Sequence, residues 1–144
     1  MSDELAAFEK KFRQRELHVS DCGAWTLSVR PGQIVLGAMV LASRSGALAM
    51  SDLTHQEMQD MGVGLALAER LAKQVFGAKR LNFLCLMMQD PIMHFHILPR
   101  YAQPVTRYGA TWTDQDWPGP PRIAPLVTAD ATLLQIRDEL HAAL

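Results

Sequence analysis

One long helical signal, bounded on both sides by strand-length apolar segments, restricts this chain more than any other feature. Thr54 and Glu57 have the spacing of a capping box, in which the Thr oxygen accepts from a free amide while the Glu reaches back. Met58, Met61, Leu65, Leu71 and Val75 follow along one side. The pattern predicts a helix from about His55 to Phe76 that stops at Gly77. Gly62 and Gly64 within it each cost roughly 1 kcal/mol against Ala. Either the helix is weakened there or something packs closely on its backbone.

The remaining segments are short. Residues Asp3 to about Leu17 place Leu5, Phe8, Phe12 and Ala6 on one side at helical spacing, which predicts an amphipathic opening helix on the domain's surface. After a break at Ser20–Asp21–Cys22–Gly23, Ala24–Val29 and Gln33–Leu41 read as a hairpin or a pair of adjacent strands, with Pro31–Gly32 as the turn. Arg80–Met88 and Met93–Leu98 are strand-length, and the short turn through Gln89–Asp90–Pro91 makes them antiparallel neighbours. Pro99 fits only at a strand's end or on an edge. Residues 102–127, rich in Pro, Gly, Trp and Asp, predict an ordered but irregular excursion. A closing helix from about Ala129 to Ala143 presents Leu133, Ile136 and Leu140 on one face. There is no internal repeat and no linker, so residues 1–144 are read as one domain of the α+β class: an antiparallel sheet of about five strands, one long helix packed on it, and short terminal helices.

Size and charge narrow the possible partners. A chain of 144 residues can bury roughly two thirds of its unfolded surface around one core. A formal net charge of -1 leaves no basic field to hold a nucleic-acid polymer or an anionic membrane, whereas a small anionic ligand needs only a few placed donors. The N-terminus is charged where a signal peptide would be apolar, and no stretch approaches the ~20 apolar residues of a membrane span. Cys22 and Cys85 lack metal-type spacing and are expected to be reduced and structural. These features point to the cytoplasm.

Chemistry concentrates in one strand. Successive side chains point to opposite faces, so Met93, Phe95 and Ile97 form one apolar row and Ile92, His94, His96 and Leu98 form the other. Two imidazoles thus stand side by side. They can be hydrogen-bonded histidines of an ordinary strand, the usual fate of an isolated His. They can supply two ligands to a metal, but Asp90, His18, His55 and His141 are third ligands only in principle, because none is spaced to lie beside the pair. Or they can act at phosphorus, where a neutral imidazole is a competent nucleophile and a neighbouring His bonds to it or to phosphate oxygens.

The segment Asp90-Pro-Ile-Met-His-Phe-His-Ile-Leu-Pro-Arg-Tyr101 resembles the signature of the histidine-triad superfamily, in which His-φ-His-φ-His-φ-φ is followed by Pro-Arg in many members. The likeness extends more weakly over Leu17–Arg100, through Pro31–Gly32–Gln33, Asp52-Leu-Thr-x-x-Glu57 and Asn82, and Trp117-Pro-Gly-Pro120 is similar to a downstream segment of some bacterial members. By resemblance, His94 falls on the middle histidine, which attacks the α-phosphorus and forms a nucleotidyl-imidazole. His96 falls on the last histidine, which contacts phosphate oxygens. Ile92 occupies the first position and cannot donate a hydrogen bond. Gln33 lies where some members carry a further active-site histidine, and Met88 where a similar branch carries Asn.

The resemblance therefore implies a nucleoside 5′-phosphate hydrolase or nucleotidyl transferase of the dinucleoside polyphosphate or phosphoramidate class. His94 and His96 would be catalytic, with Gln33, Asn82, Gln89 and Arg100 binding substrate. It also implies a purine nucleotide or related phosphate ester as ligand and a homodimer; no cofactor is expected, and no metal, because the histidine chemistry requires none and the pair lacks a third ligand at a credible spacing. Losing one donor to a developing charge costs about 10²–10³ in rate, which predicts a weakened or redirected enzyme; a nucleotide-binding protein without turnover is the alternative. Trp112, Trp117 and Tyr108 can stack on a base or cover the core. Cys85 reads as core packing, and Lys10, Lys11, Arg13 and Arg15 as the wet face of the first helix.

Overall fold

The structure, a computed structural model, describes residues 2–144. The chain runs α1 (Asp3–Lys11), β1 (His18–Cys22), β2 (Trp25–Val29), β3 (Met39–Ser43), α2 (His55–Phe76), β4 (Arg80–Leu84), β5 (His94–Arg100), β6 (Val105–Arg107), β7 (Ala110–Trp112) and α3 (Asp130–Ala142). The first five strands form one antiparallel sheet in the order β1-β2-β3-β5-β4, and β6 and β7 form a separate hairpin. The expected α+β class and five-stranded sheet are therefore present.

The two faces of the sheet have different roles. One buries Trp25, Leu27, Met39, Leu41, Phe95 and Ile97 against Ala68, Leu71, Ala72 and Phe76 of α2 and Leu133, Ile136 and Leu140 of α3. Side-chain alternation sends the intervening residues to the other face, where Val40, Ala42 and Ile92 meet Phe8 and Phe12. The first helix is thus shorter than its polar pattern suggests, ending at Lys11, and its apolar stripe is not on the surface. Phe8 and Phe12 stack on each other, with ring centroids 4.4 Å apart, above the histidine row.

Helix α2 has the predicted bounds. Thr54 caps it by accepting from the Glu57 amide at 3.1 Å, and Gly77 ends it in the left-handed conformation at φ 71°. Only half the capping box forms, since the Glu57 carboxylate accepts from the Ser45 hydroxyl instead. Gly64 is a close approach: a Cβ there would lie 2.7 Å from a methyl of Leu41, whereas nothing lies within 4 Å of one at Gly62.

Three expectations need correction. The break at Ser20–Gly23 is strand β1 and its turn, with Asp21 paired to Thr26 and Cys22 to Trp25; the polar residues lie along an edge strand. Gln33–Leu41 is mostly loop, and the second strand of that hairpin begins only at Met39. The connection after β4 is longer than a turn, running from Cys85 to Met93. Strand β5 lies between β3 and β4 and not at an edge, and Pro99 is accommodated beyond the β3 register, which ends with Met39 opposite Ile97.

Candidate active site

The sheet register assembles the site. Ser28, Val40 and His96 lie in one row across β2, β3 and β5, and Thr26, Ala42 and His94 in the next. The imidazoles are 5.0 Å apart between centroids and set edge to face at 85°. Phe8 and Phe12 stand 5.1 and 6.0 Å from the His94 ring, leaving His94 3% and His96 8% exposed. Ile92, at 0%, belongs to the apolar cluster beneath α1, so the first triad position is packing.

Hydrogen bonds assign opposite tautomers to the two rings. His94 Nδ1 lies 2.6 Å from the Ile92 carbonyl oxygen, which can only accept, so Nδ1 carries the proton and Nε2 the lone pair. At His96 the partner is a donor: Arg30 Nε donates to Nδ1 at 3.3 Å, which puts the ring proton on Nε2. Among the described residues neither Nε2 has a partner. Burial, with the neighbouring Arg30 charge adding to it, pushes the His96 pKa down to about 4. His96 is thus neutral at physiological pH and offers an N–H, not a charge.

Both histidines open into a cleft of about 540 Å³. Its walls are Lys11 and Phe12 at the end of α1, Arg30–Gly32 after β2, Leu86–Asp90 before β5, and Ile123–Val127 from the segment before α3. Lys11 is not merely a solvated charge: its ammonium donates to Asp90 at 2.8 Å, tying α1 to the β4–β5 connection. Gln89 lines the cleft, as does Met88, which is 84% exposed.

The other expected binding residues lie elsewhere. Arg100 is 3% exposed, and its guanidinium is taken up by Asp114 at 2.7 and 3.1 Å, Asn82 Oδ1 at 2.8 Å and the Gly119 carbonyl at 2.8 Å. Burial raises the Asp114 pKa, but bonds from Arg100 and the Tyr101 amide outweigh it and hold the carboxyl below its ordinary value. Arg100, Asn82 and Asp114 thus form a structural lock outside the cleft lining. Gln33 is also outside the lining. Its amide donates to the Arg30 and Ala38 carbonyls at 2.8 Å and its oxygen accepts from the Gly37 amide, which fixes the loop.

The excursion after β5 was expected to be irregular, and most of it is, but it includes the β6–β7 hairpin and a cis peptide between Trp117 and Pro118. Trp112 and Tyr108 pack against the main core, and none of Trp112, Trp117 and Tyr108 lines the cleft. The cleft is walled instead by Ile123, Pro125, Leu126 and Val127.

Arg30 is the site residue that composition and motif did not indicate. Its signal was available in the alternation of β2: Trp25, Leu27 and Val29 face the main core, which directs Thr26, Ser28 and then Arg30 to the histidine face. Among the described residues no three His, Cys, Asp or Glu side chains gather as a metal set, and no helix is long and apolar enough to cross a membrane.

No protein-family model and no curated protein matches the chain. Solved structures do. A Hit-like protein involved in cell-cycle regulation from Bartonella henselae is 16% identical, with 96% of this chain and 95% of that one covered at a TM-score of 0.68. A histidine triad protein of Sinorhizobium meliloti 1021 is 16% identical over 92% and 93%, at 0.69. A hypothetical histidine triad nucleotide-binding protein of Sulfolobus tokodaii is 12% identical over 92% and 88%, at 0.69. With the five-stranded sheet and the helices in agreement over at least 88% of each chain, the chain has the histidine-triad fold.

Proposed function

We propose that the cleft binds a nucleoside 5′-phosphate derivative and that His94 cleaves it at the α-phosphorus, as a hydrolase or nucleotidyl transferase. The observation that carries this reading is the 2.6 Å bond from His94 Nδ1 to the Ile92 carbonyl, which leaves Nε2 as a lone-pair nucleophile in a residue that lines the cleft. Nε2 attacks phosphorus, the bond from phosphorus to the leaving group breaks, and the leaving group departs with the electron pair and takes a proton from solvent. The intermediate is a nucleotidyl-imidazolium whose charge is stabilised by the same carbonyl. Water then attacks phosphorus, loses its proton to solvent, and releases the monophosphate while Nε2 regains its lone pair. His96 contributes its Nε2 proton as a donor to a phosphate oxygen. The apolar walls suit a base and sugar better than a second charged group.

A second reading, a nucleotide-binding protein without turnover, is favoured by the depth of His94 under Phe8 and Phe12 and by the apolar Ile92 in place of a donor. Incubation with adenosine and guanosine polyphosphates and phosphoramidates separates the two. The enzyme reading expects release of a nucleoside monophosphate by the parent protein and not by His94→Ala. Equal release by both proteins overturns it, and binding without release in either selects the second reading. We further propose that the protein acts in the cytoplasm as a homodimer, on the strength of the resemblance.

A further inference from the structure

We propose that Arg30 is the anion-binding residue of the cleft, and that it receives the phosphate-type group of the ligand in place of the donor lost at Ile92. The inference rests on the nucleotide reading for the identity of the ligand, and on the cleft's own charges for the anion.

Arg30 is half-buried and lines the cleft, yet it forms no salt bridge among the described residues. Its protein partners are two neutral acceptors: His96 Nδ1, from Nε, and the Gly32 carbonyl, 2.5 Å from Nη1. Nη2 has no partner among the described residues. Taking a guanidinium out of water is costly unless a counter-charge meets it. The Lys11–Asp90 ion pair of the cleft is closed on itself, since both Asp90 oxygens accept from Lys11. Arg100, the arginine of the motif, already has a carboxylate. Arg30 is therefore the cation of this cleft with its valence open, and a planar donor edge is the geometry that phosphate oxygens fit.

The surrounding loop is built to hold it. Gln33 fixes the Arg30 carbonyl, and the Arg30 amide donates to the Ala38 carbonyl at 2.9 Å. At Gly32 a Cβ would lie 2.9 Å from Arg30 Nη1 and 2.8 Å from the Leu126 carbonyl, so glycine lets guanidinium and cleft wall approach together. The Gln33 amide donates to the Thr128 hydroxyl at 2.9 Å, joining the loop to that wall. Gln33 and Gly32 are positioning residues for Arg30.

The same arrangement divides the work between the two basic groups. Because Arg30 donates to Nδ1, the adjoining His96 is kept as a neutral ring with Nε2–H exposed to the ligand. Arg30 supplies charge and His96 a directed hydrogen bond. Anion affinity then has no need of an imidazolium.

Calorimetric titration of the parent and Arg30→Met with AMP, adenosine and inorganic pyrophosphate tests the proposal. The parent is expected to prefer AMP to adenosine by about 10–100-fold, the worth of charge-assisted bonds to one group. Arg30→Met should lose that preference with adenosine affinity unchanged. Pyrophosphate binding that depends on Arg30, without any affinity for AMP or adenosine, would uphold the anion site and overturn the nucleotide reading. An AMP preference that survives in Arg30→Met, or no binding of any of the three by the parent, overturns the proposal. Should Arg30→Met not fold, Arg30→Lys decides: it retains the charge and loses the planar fork, so the preference should weaken without vanishing, and an unchanged preference would count against Arg30.

Discussion

Asp114 neutralises the buried Arg100 guanidinium, whereas Arg30 donates only to His96 and the Gly32 carbonyl. Arg100 follows the histidine strand and looks free, but β5 delivers it to Asp114, a partner 14 residues later in a segment without periodicity. Arg30 sits ahead of a Pro-Gly turn and looks like a loop charge, but the face alternation of β2 delivers it to His96. The histidine pair itself was legible, because alternation within a single strand requires no knowledge of the rest of the sheet. The roles of Gln33 and Asn82 were not, since they depend on which backbone groups and side chains the loops bring near.

Substitution at Arg100 leaves the Asp114 carboxylate buried and uncompensated. Arg100→Met should therefore destabilise the fold by about 3–5 kcal/mol, measured by urea unfolding, while AMP affinity in the folded protein stays within about tenfold. A large loss of AMP affinity at unchanged stability would return Arg100 to the site.

His96 makes a pH-dependent contribution of determinate sign. Its folded pKa, pushed down to about 4 from 6.5 by burial and by the charge of Arg30, lies below the unfolded value, so the unfolded chain binds the extra proton first. Near it are Arg30, the His94 ring, Lys11 and Asp90, of which only Asp90 favours the charged form. Stability should be unaffected by this group above about pH 6.5 and should fall as pH drops towards 4. In thermal melts across that range the parent should lose more Tm than His96→Gln; equal losses would show that His96 does not titrate in this way.

At the scale of elements, helix α2 shows why one sequence signal can have two causes. Gly62 and Gly64 weaken the helical pattern equally, yet only Gly64 faces Leu41, a fully buried residue of β3. At Gly64→Ala, about 1–3 kcal/mol of overpacking outweighs about 1 kcal/mol of helix propensity. Gly62→Ala, open to solvent, should stabilise by about 0.5–1 kcal/mol. Denaturant midpoints moving in opposite directions are the expected result, and two stabilised variants would remove the close approach. The bounds of α2 were legible because caps and periodicity are local. Strand β1 was not, because Ser20 and Asp21 on an edge strand resemble a turn until the pairing with β2 is known.

The whole molecule combines a two-helix core on one face of the sheet with a site on the other, roofed by α1 and walled by the segment before α3. The layered architecture followed from one long helix among strand-length segments. The roof did not, because the amphipathic pattern of α1 tells that Phe8 and Phe12 are buried but not against what. Strand β4 is an edge of the sheet, and the proposed homodimer would be seen by light scattering as twice the 16.0 kDa of one chain at micromolar concentration. A mass of one chain would contradict it.

The proposed chemistry requires that His94 Nε2 form a bond to phosphorus. Its most direct measurement is mass spectrometry of the protein denatured at alkaline pH during turnover of an adenosine phosphoramidate, where phosphoryl-imidazole bonds persist. A nucleotidyl group on His94 is expected in the parent, and in His94→Ala neither adduct nor turnover, with AMP affinity retained within about tenfold. Turnover by His94→Ala at the parent's rate, or an adduct on any other residue, would contradict it.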